Sequence, residues 1–273
     1  MADDSRPRRA QAVLSVLSST ELSPHIVRIV AGGPGFEQYN DNDCTDKYVK
    51  ILFADPAHGL TPPYDLVELR EQSPEKLPTR RTYTVRESDP AAQTLTIDFV
   101  VHGDEGVAGP WARTARPGDS LVLTGAGGGY SPDPEAPWHL MIGDLTAVPA
   151  ISAALDALAA DAVGEVLIET ADAADLAGLR EVAGVRVTHV RPEPGIERIG
   201  DALVDAVRAL ELRDGVPHAF VHGERETIKA LRRHLVDERE IPRDRLSISA
   251  YWARGRVEDD FQAEKREAIG QIG

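Results

Sequence analysis

The sequence predicts a two-domain α/β protein: an N-terminal antiparallel β-barrel over residues 1–130 and a C-terminal Rossmann-like parallel sheet with flanking helices over residues 131–273. Three observations predict it. A chain of 273 residues is long for one hydrophobic core, and two domains of roughly 100–150 residues each are the natural division. Residues 10 to about 125 read as short strands between turn residues, whereas the later part alternates strand and helix patterns. Between them, GAGGGYSPDPEAP at 125–137 is a Gly- and Pro-rich loop where a boundary fits.

The barrel strands are AQAVLSVLSS, HIVRIVAGG, KYVKILFA, RRTYTVR, TLTIDFVVHG and DSLVLTG, each mixing β-branched and apolar residues, often in alternation. One short helix, GVAGPWARTA, precedes the turn RPGD. Beyond the loop, WHLMIGD, GEVLIETAD, VRVTHVR, HAFVHG and RLSISAYW read as strands, and TAVPAISAALDALAA, DALVDAVRALEL and ERETIKALRRHLVDERE as helices. Such alternation implies a mostly parallel sheet covered on both faces. The tail VEDDFQAEKREAIGQIG is charged, and a helix is its closest regular reading.

Composition excludes several function classes. Hydrophobic residues make up 42% of the chain and charged ones 27%, the balance of a globular protein rather than a disordered one. A formal charge of −15 argues against nucleic-acid or anionic-membrane binding, which need a basic face, so an anionic ligand requires a local basic cluster. The single cysteine, Cys44, excludes a disulfide within the chain and a thiolate metal cluster. The remaining histidines lack metal-ligand spacing, no H-E-x-x-H or G-x-S-x-G occurs, and neither a protein-bound metal nor a hydrolytic nucleophile is expected. No segment approaches the ~20 apolar residues of a membrane span, and no signal-like apolar run is visible; a cytoplasmic protein without a membrane span is the expectation.

One stretch runs against the acidic balance. In TRRTYTVR at 79–86, alternation sets Arg81, Tyr83 and Val85 on one face and Arg80, Thr82, Thr84 and Arg86 on the other. Arginine's planar fork suits phosphate, a tyrosine ring can lie on a planar ligand, and Thr84 offers a hydroxyl. On spacing alone the strand also reads as a solvated edge strand that uses arginine against edge pairing. The rest of the chain bears on that choice. RTYTVR, then DFVVHGDEGVAGPWA and RPGD, then GDLTAVPAI, HGERETIKALRRHL and YWARGR, in that order from about residue 12 to 257, resemble the siderophore-interacting protein family of flavin-dependent ferric-siderophore reductases, in the ferredoxin-reductase-like superfamily.

The resemblance implies a flavin-binding barrel and an NAD(P)H-binding α/β domain. It gives Arg81 to a flavin phosphate, and Tyr83 and Thr84 to the ring and ribityl chain. Residues 98–112 match the second flavin segment: Asp98 and Val100 on the strand, His102 to Gly106 as a turn beside the flavin, and Val107, Ala108, Gly109 and Trp111 at a helix start that suits a pyrophosphate. Many members carry a hydroxyl residue where Gly109 stands, so backbone N–H groups would supply that contact here. FAD is implied before FMN. For the nicotinamide cofactor, NADPH or NADH, the resemblance points to Asp144, Thr146 and Ala147 at the first strand-to-helix turn, to Glu224, and to Trp252. GxGxxG is absent. Glu169 at the next strand end could meet an adenosine ribose or be a solvated strand end.

The expected function is therefore transfer of electrons from NADPH or NADH, or from reduced ferredoxin, through flavin to the iron(III) of a ferric siderophore, with no protein acid or base required. Lys47, Lys50 and Arg254 are candidate contacts for an anionic chelate, and residues 55–79 could wall the site. The alternatives are an NAD(P)H:flavin oxidoreductase, a reductase serving a partner oxygenase, and a non-catalytic siderophore-binding protein.

Overall fold

A computed structural model describes residues 10–103, 106–192, 200–265 and 267–272. The chain divides into two compact units. One comprises Val27–Asp43, Lys47–Gly128 and the chain up to Glu21; the other runs from Gly129 onward and includes Leu22–Ile26 and Cys44–Asp46.

The first unit carries β1 (Gln11–Ser23), β2 (Ile26–Gly32), β3 (Tyr48–Phe53), β4 (Thr79–Thr84), β5 (Glu87–Asp89), β6 (Thr94–Val100) and β7 (Ser120–Gly127). They hydrogen-bond in the order β4-β3-β7-β1-β2-β6-β5, and the β1–β7, β3–β4, β3–β7 and β5–β6 ladders are antiparallel. Alternation sorts the side chains: Val49 and Ile51 on β3 and Leu95, Ile97 and Phe99 on β6 are fully buried, while Tyr48 and Lys50 face outward. The two ends of the sheet meet. The Arg86 N–H donates to the Thr96 carbonyl at 2.8 Å, and the Tyr83 ring lies 4.4 Å from Phe99. This is the antiparallel barrel that the strand pattern predicts, with α2 (Ala108–Thr114) in the expected place.

Between β3 and β4 lies α1 (Leu66–Gln72), which the apolar pattern does not announce because none of its residues is buried. Its start is capped by Asp65, whose carboxylate accepts from the N–H groups of Val67 and Glu68, each at 3.1 Å. Gln11 pins the same segment with its amide, donating to the Tyr64 carbonyl at 2.7 Å and accepting from the Tyr64 N–H at 2.9 Å.

The second unit holds β8 (His139–Asp144), α3 (Val148–Ala157), β9 (Val163–Glu169), β10 (Gly184–Val190), α4 (Asp201–Ala209), β11 (His218–Glu224), α5 (Arg225–Arg232), β12 (Leu246–Trp252) and α6 (Glu258–Glu264). The strands are parallel in the order β10-β9-β8-β11-β12. α3 packs on one face with Met141, Val166, Ile168 and Phe220; α4 and α5 cover the other with Leu140, Ile142, Leu167 and Val221. The chain leaves β8 toward β9 on one side and later returns as β11 on the other, so the carboxyl end of β8 is the switch point where such sheets take ligands. Among the described residues, no helix is long and apolar enough to cross a membrane.

Candidate functional site

In the first unit the candidate residues gather around β4. Register sets Arg81 opposite Ile51 and Tyr83 opposite Val49, while Thr82 pairs with the outward Lys50. Tyr83 is half-buried on Phe99, Phe99 lies 5.5 Å from Trp111, and Trp111 lies 5.5 Å from Phe53, giving a continuous aromatic wall from β4 to α2. Thr84 is buried. The Arg81 guanidinium donates to the Arg80 carbonyl at 2.8 Å. Asp98 is buried and held by both prongs of Arg28, each at 2.7 Å, so its carboxylate is an internal anchor on β6. His102 and Val107 are exposed. Of the turn expected from His102 to Gly106, residues 104 and 105 lie outside the described residues. Gly106 has φ +83, a conformation that suits glycine, and Arg113 donates to the Gly103 carbonyl at 2.9 Å.

The start of α2 is the distinctive feature. Val107 occupies its cap position and no described side chain accepts from its first N–H groups. At Gly109 a Cβ would meet nothing nearer than Val101, at 3.8 Å, an ordinary packing contact, so a side chain's first atom fits there without a clash. An uncapped helix start presents N–H groups to whatever anion approaches.

On the outer face, a cleft of about 380 Å3 is lined by Ala10, Gln38, Asn40, Tyr48, Lys50 and residues 124–127. Lys50 hydrogen-bonds Thr82 and sits 5.6 Å from the Tyr48 ring centroid. Lys47 does not line the cleft; its ammonium pairs with Asp41 at 2.9 Å. Arg254 belongs to the second unit. Of the three basic residues expected together, one lines the cleft. Sequence reasoning missed Tyr48, although alternation in KYVK puts it on the Lys50 face, and missed Gln38 and Asn40, for which no pattern gave a signal.

In the second unit, Asp144, Thr146, Glu224 and Trp252 converge, and they converge on one another. One Asp144 oxygen accepts from the Thr146 N–H (2.9 Å) and hydroxyl (2.5 Å); the other accepts from the Glu224 N–H and the Trp252 indole N–H, both at 2.8 Å. Burial pushes the Asp144 carboxyl upward despite these donors. The knot needs glycine beside it: a Cβ at Gly223 would meet the Asp144 carboxylate at 2.7 Å. Glu224 is spent as well, accepting from the N–H groups of Glu226 (2.6 Å) and Thr227 (3.0 Å) at the start of α5 and from the Arg254 N–H (3.2 Å). Ala147 is fully buried. Glu169 is neither solvated nor open to a ribose: its oxygens accept from the N–H groups of Gly200 and Leu203 at the start of α4, each at 3.0 Å, and burial pushes its carboxyl upward.

Beside this knot, the buried His222 stacks on Phe220 at 4.0 Å, shares a 3.0 Å hydrogen bond with Ser247, and lies 4.8 Å from Tyr251. The tail packs close by: Phe261 on α6 is buried, and Glu264 binds Arg225 and Arg256, each at 2.5 Å. Among the described residues no group of histidine, cysteine and carboxylate side chains is placed to hold a metal.

Comparison with known proteins agrees with this two-unit picture. Residues 15–130 match the family model described as the siderophore-interacting FAD-binding domain, and residues 136–255 match the one described as siderophore-interacting protein. An uncharacterized protein of Mycobacterium tuberculosis is 41% identical over 267 residues, covering 92% of this chain and 93% of the relative. The ferric vibriobactin reductase ViuB of Vibrio cholerae is 32% identical over 268 residues, 95% of each chain. Among solved structures, the siderophore-interacting protein SipS of Aeromonas hydrophila superimposes with a TM-score of 0.80 at 29% identity, covering 97% of this chain and 100% of that one.

His222 gives the site a measurable pH dependence. Burial, and then the charge of Lys265, lower its pKa from 6.5 to about 3. The unfolded chain therefore takes up a proton that the folded one refuses, and stability present above pH 6.5 is lost as pH falls toward 3, with a slope of up to about 1.4 kcal/mol per pH unit for one proton. Denaturant midpoints between pH 7 and pH 4 are expected to fall less steeply in His222→Phe than in the wild type; His139 and His218, also lowered by burial, supply the slope that remains.

Proposed function

This chain belongs to the siderophore-interacting protein family, with its ferredoxin-reductase-like fold, and on that footing we propose that it is a flavin-dependent ferric-siderophore reductase, taking electrons from NADH or NADPH and delivering them to siderophore-bound iron(III). The observation that carries the reading is the open start of α2 beside the aromatic wall of the barrel. The starts of α1, α4 and α5 are filled by carboxylates of the chain, whereas that of α2 has no side-chain acceptor among the described residues and fits a pyrophosphate.

In this reading FAD is held by the first unit. The N–H groups at Ala108 and Gly109 receive the pyrophosphate, Arg81 neutralises a phosphate, and Tyr83 presents its half-buried ring beside Phe99, with Thr84 next to it. Bound there, a flavin supplies the chemistry that no side chain offers: it accepts two electrons as hydride and releases them singly. The chain's own part is to bind, orient and keep the ring against an apolar wall. Lys50 and the cleft around it receive the chelate, with iron(III) as substrate.

The electron donor is read as a nicotinamide dinucleotide at the carboxyl ends of β8 and β11, at the switch point. Because Asp144, Glu169 and Glu224 are committed to internal donors, the dinucleotide would be held by the groups around them, Thr146 and the Trp252 ring among those proposed.

Two measurements test the reading. Flavin-loaded protein mixed anaerobically with NADH, NADPH or reduced ferredoxin and a panel of ferric siderophores is expected to release iron(II) to a chelator with at least one donor; no iron(II) from any combination contradicts the assignment. Arg81→Ala is expected to lower flavin affinity at least about tenfold, the worth of one charge-assisted contact of about 1.5–3 kcal/mol. Wild-type retention of flavin absorbance after dialysis would remove the role given to Arg81.

A further inference from the structure

The carboxyl ends of β8, β11 and β12 meet at one buried carboxylate. Asp144 accepts from the N–H and O–H of Thr146, the N–H of Glu224 and the indole N–H of Trp252, at 2.5–2.9 Å. A carboxylate offers about four lone-pair sites, so these bonds fill it, and each of these partners is a donor. Asp144 holds them together only as the anion. A protonated carboxyl or an amide would set a hydrogen of its own against one of the donors.

The backbone is arranged for the contact with Trp252. β11 and β12 run in register up to Gly223 opposite Ala250, which would next set Glu224 opposite Tyr251; the register slips there, and Glu224 lies opposite Trp252 instead. A bulge of this kind re-aims a side chain at a strand end. Tyr251 is left against His222, with 4.8 Å between the rings, and Trp252 is brought to Asp144. Gly223 admits the carboxylate, because a Cβ there would lie 2.7 Å from Asp144 Oδ2. The single indole donor lies in the plane of the ring, so its bond to Asp144 fixes the half-buried ring and leaves the faces to stack.

We propose that Asp144 is a positioning residue for the electron donor: it locks the Trp252 indole in the orientation in which the ring stacks on a nicotinamide dinucleotide, without itself meeting the dinucleotide. The proposal rests on the nicotinamide part of the reductase reading and deepens it. Asp144 and Trp252, both candidate contacts by sequence, thereby take different roles: Trp252 binds, and Asp144 acts through it. A ring fixed before the ligand arrives loses less freedom on stacking than one that turns freely, and that difference appears as affinity.

Calorimetric titration of flavin-loaded protein with NAD+ and with NADP+, which bind without reducing the flavin, reads affinity apart from electron transfer. For the dinucleotide that the wild type binds more tightly, Asp144→Asn is expected to weaken binding at least about tenfold while flavin content is unchanged. Trp252→Phe, which keeps an aromatic ring and removes the N–H, is expected to weaken it as well. The double variant decides. Because both substitutions break one interaction, adding Asp144→Asn to Trp252→Phe is expected to cost less than about twofold more. If Asp144→Asn does not fold, Gly223→Ala takes its place, crowding the carboxylate without changing its charge, and the same non-additivity is expected.

Losses that multiply in the double variant overturn the proposal, since Asp144 then acts otherwise than through the indole. Wild-type affinity in folded Asp144→Asn, or in Trp252→Phe, overturns it too. A wild-type protein that binds neither dinucleotide, yet yields iron(II) with reduced ferredoxin, overturns the positioning role together with the nicotinamide donor and leaves the ferric-siderophore reductase reading standing. Coupled losses in a protein that releases iron(II) from no siderophore contradict that reading and leave the positioning role in place.

Discussion

Buried carboxylates and helix starts each lack what the other supplies, and the second unit is organised by that exchange. A carboxylate removed from water needs donors, and the first turn of a helix has N–H groups without acceptors. Glu169 at the end of β9 closes the start of α4, Glu224 at the end of β11 closes the start of α5, and Asp144 at the end of β8 caps the turn into α3 while also taking N–H groups from β11 and β12. Three strand ends and three helix starts are thereby fixed at one edge of the sheet. Burial raises the carboxyls of Asp144 and Glu169, so each is held in place at an electrostatic cost that only its donors offset.

The same logic gives the first unit its meaning. α2 begins without a side-chain acceptor among the described residues, in a barrel whose interior presents a run of aromatic rings ending at the half-buried Tyr83. In the second unit carboxylates close the starts of α4 and α5, whereas in the first the start of α2 has no side-chain acceptor among the described residues. This contrast separates the flavin reading, which rests on an unfilled group of N–H donors beside an aromatic wall, from the nicotinamide reading, which rests on topology and family membership.

Much of the fold was legible because it depends on alternation. The barrel strands bury every second residue, as at Val49 and Ile51 or Leu95, Ile97 and Phe99, and the six consecutive buried residues of β8 read as a central parallel strand. α1 was not legible from periodicity, since it buries nothing, although Asp65 followed three residues later by Glu68 is a helix-start signal. At the site, residue type was legible and commitment was not. Asp144 meets Trp252 across 108 residues and Glu169 meets Leu203 across 34, contacts that only the folded chain brings about. Lys47 and Lys50 look alike in sequence, yet Lys47 precedes the strand and turns to Asp41, whereas Lys50 faces the cleft.

The claim on which the account turns is that the open start of α2 holds the flavin pyrophosphate. Titrating apo-protein with FAD and with riboflavin, in the wild type and in Gly109→Asp, tests it directly, because an aspartate there fits without a clash and sets a negative charge where the phosphates would lie. The account predicts that FAD loses at least about tenfold in affinity in the variant while riboflavin, which has no phosphate, is unaffected. Equal losses for both ligands, or none for FAD, would contradict it.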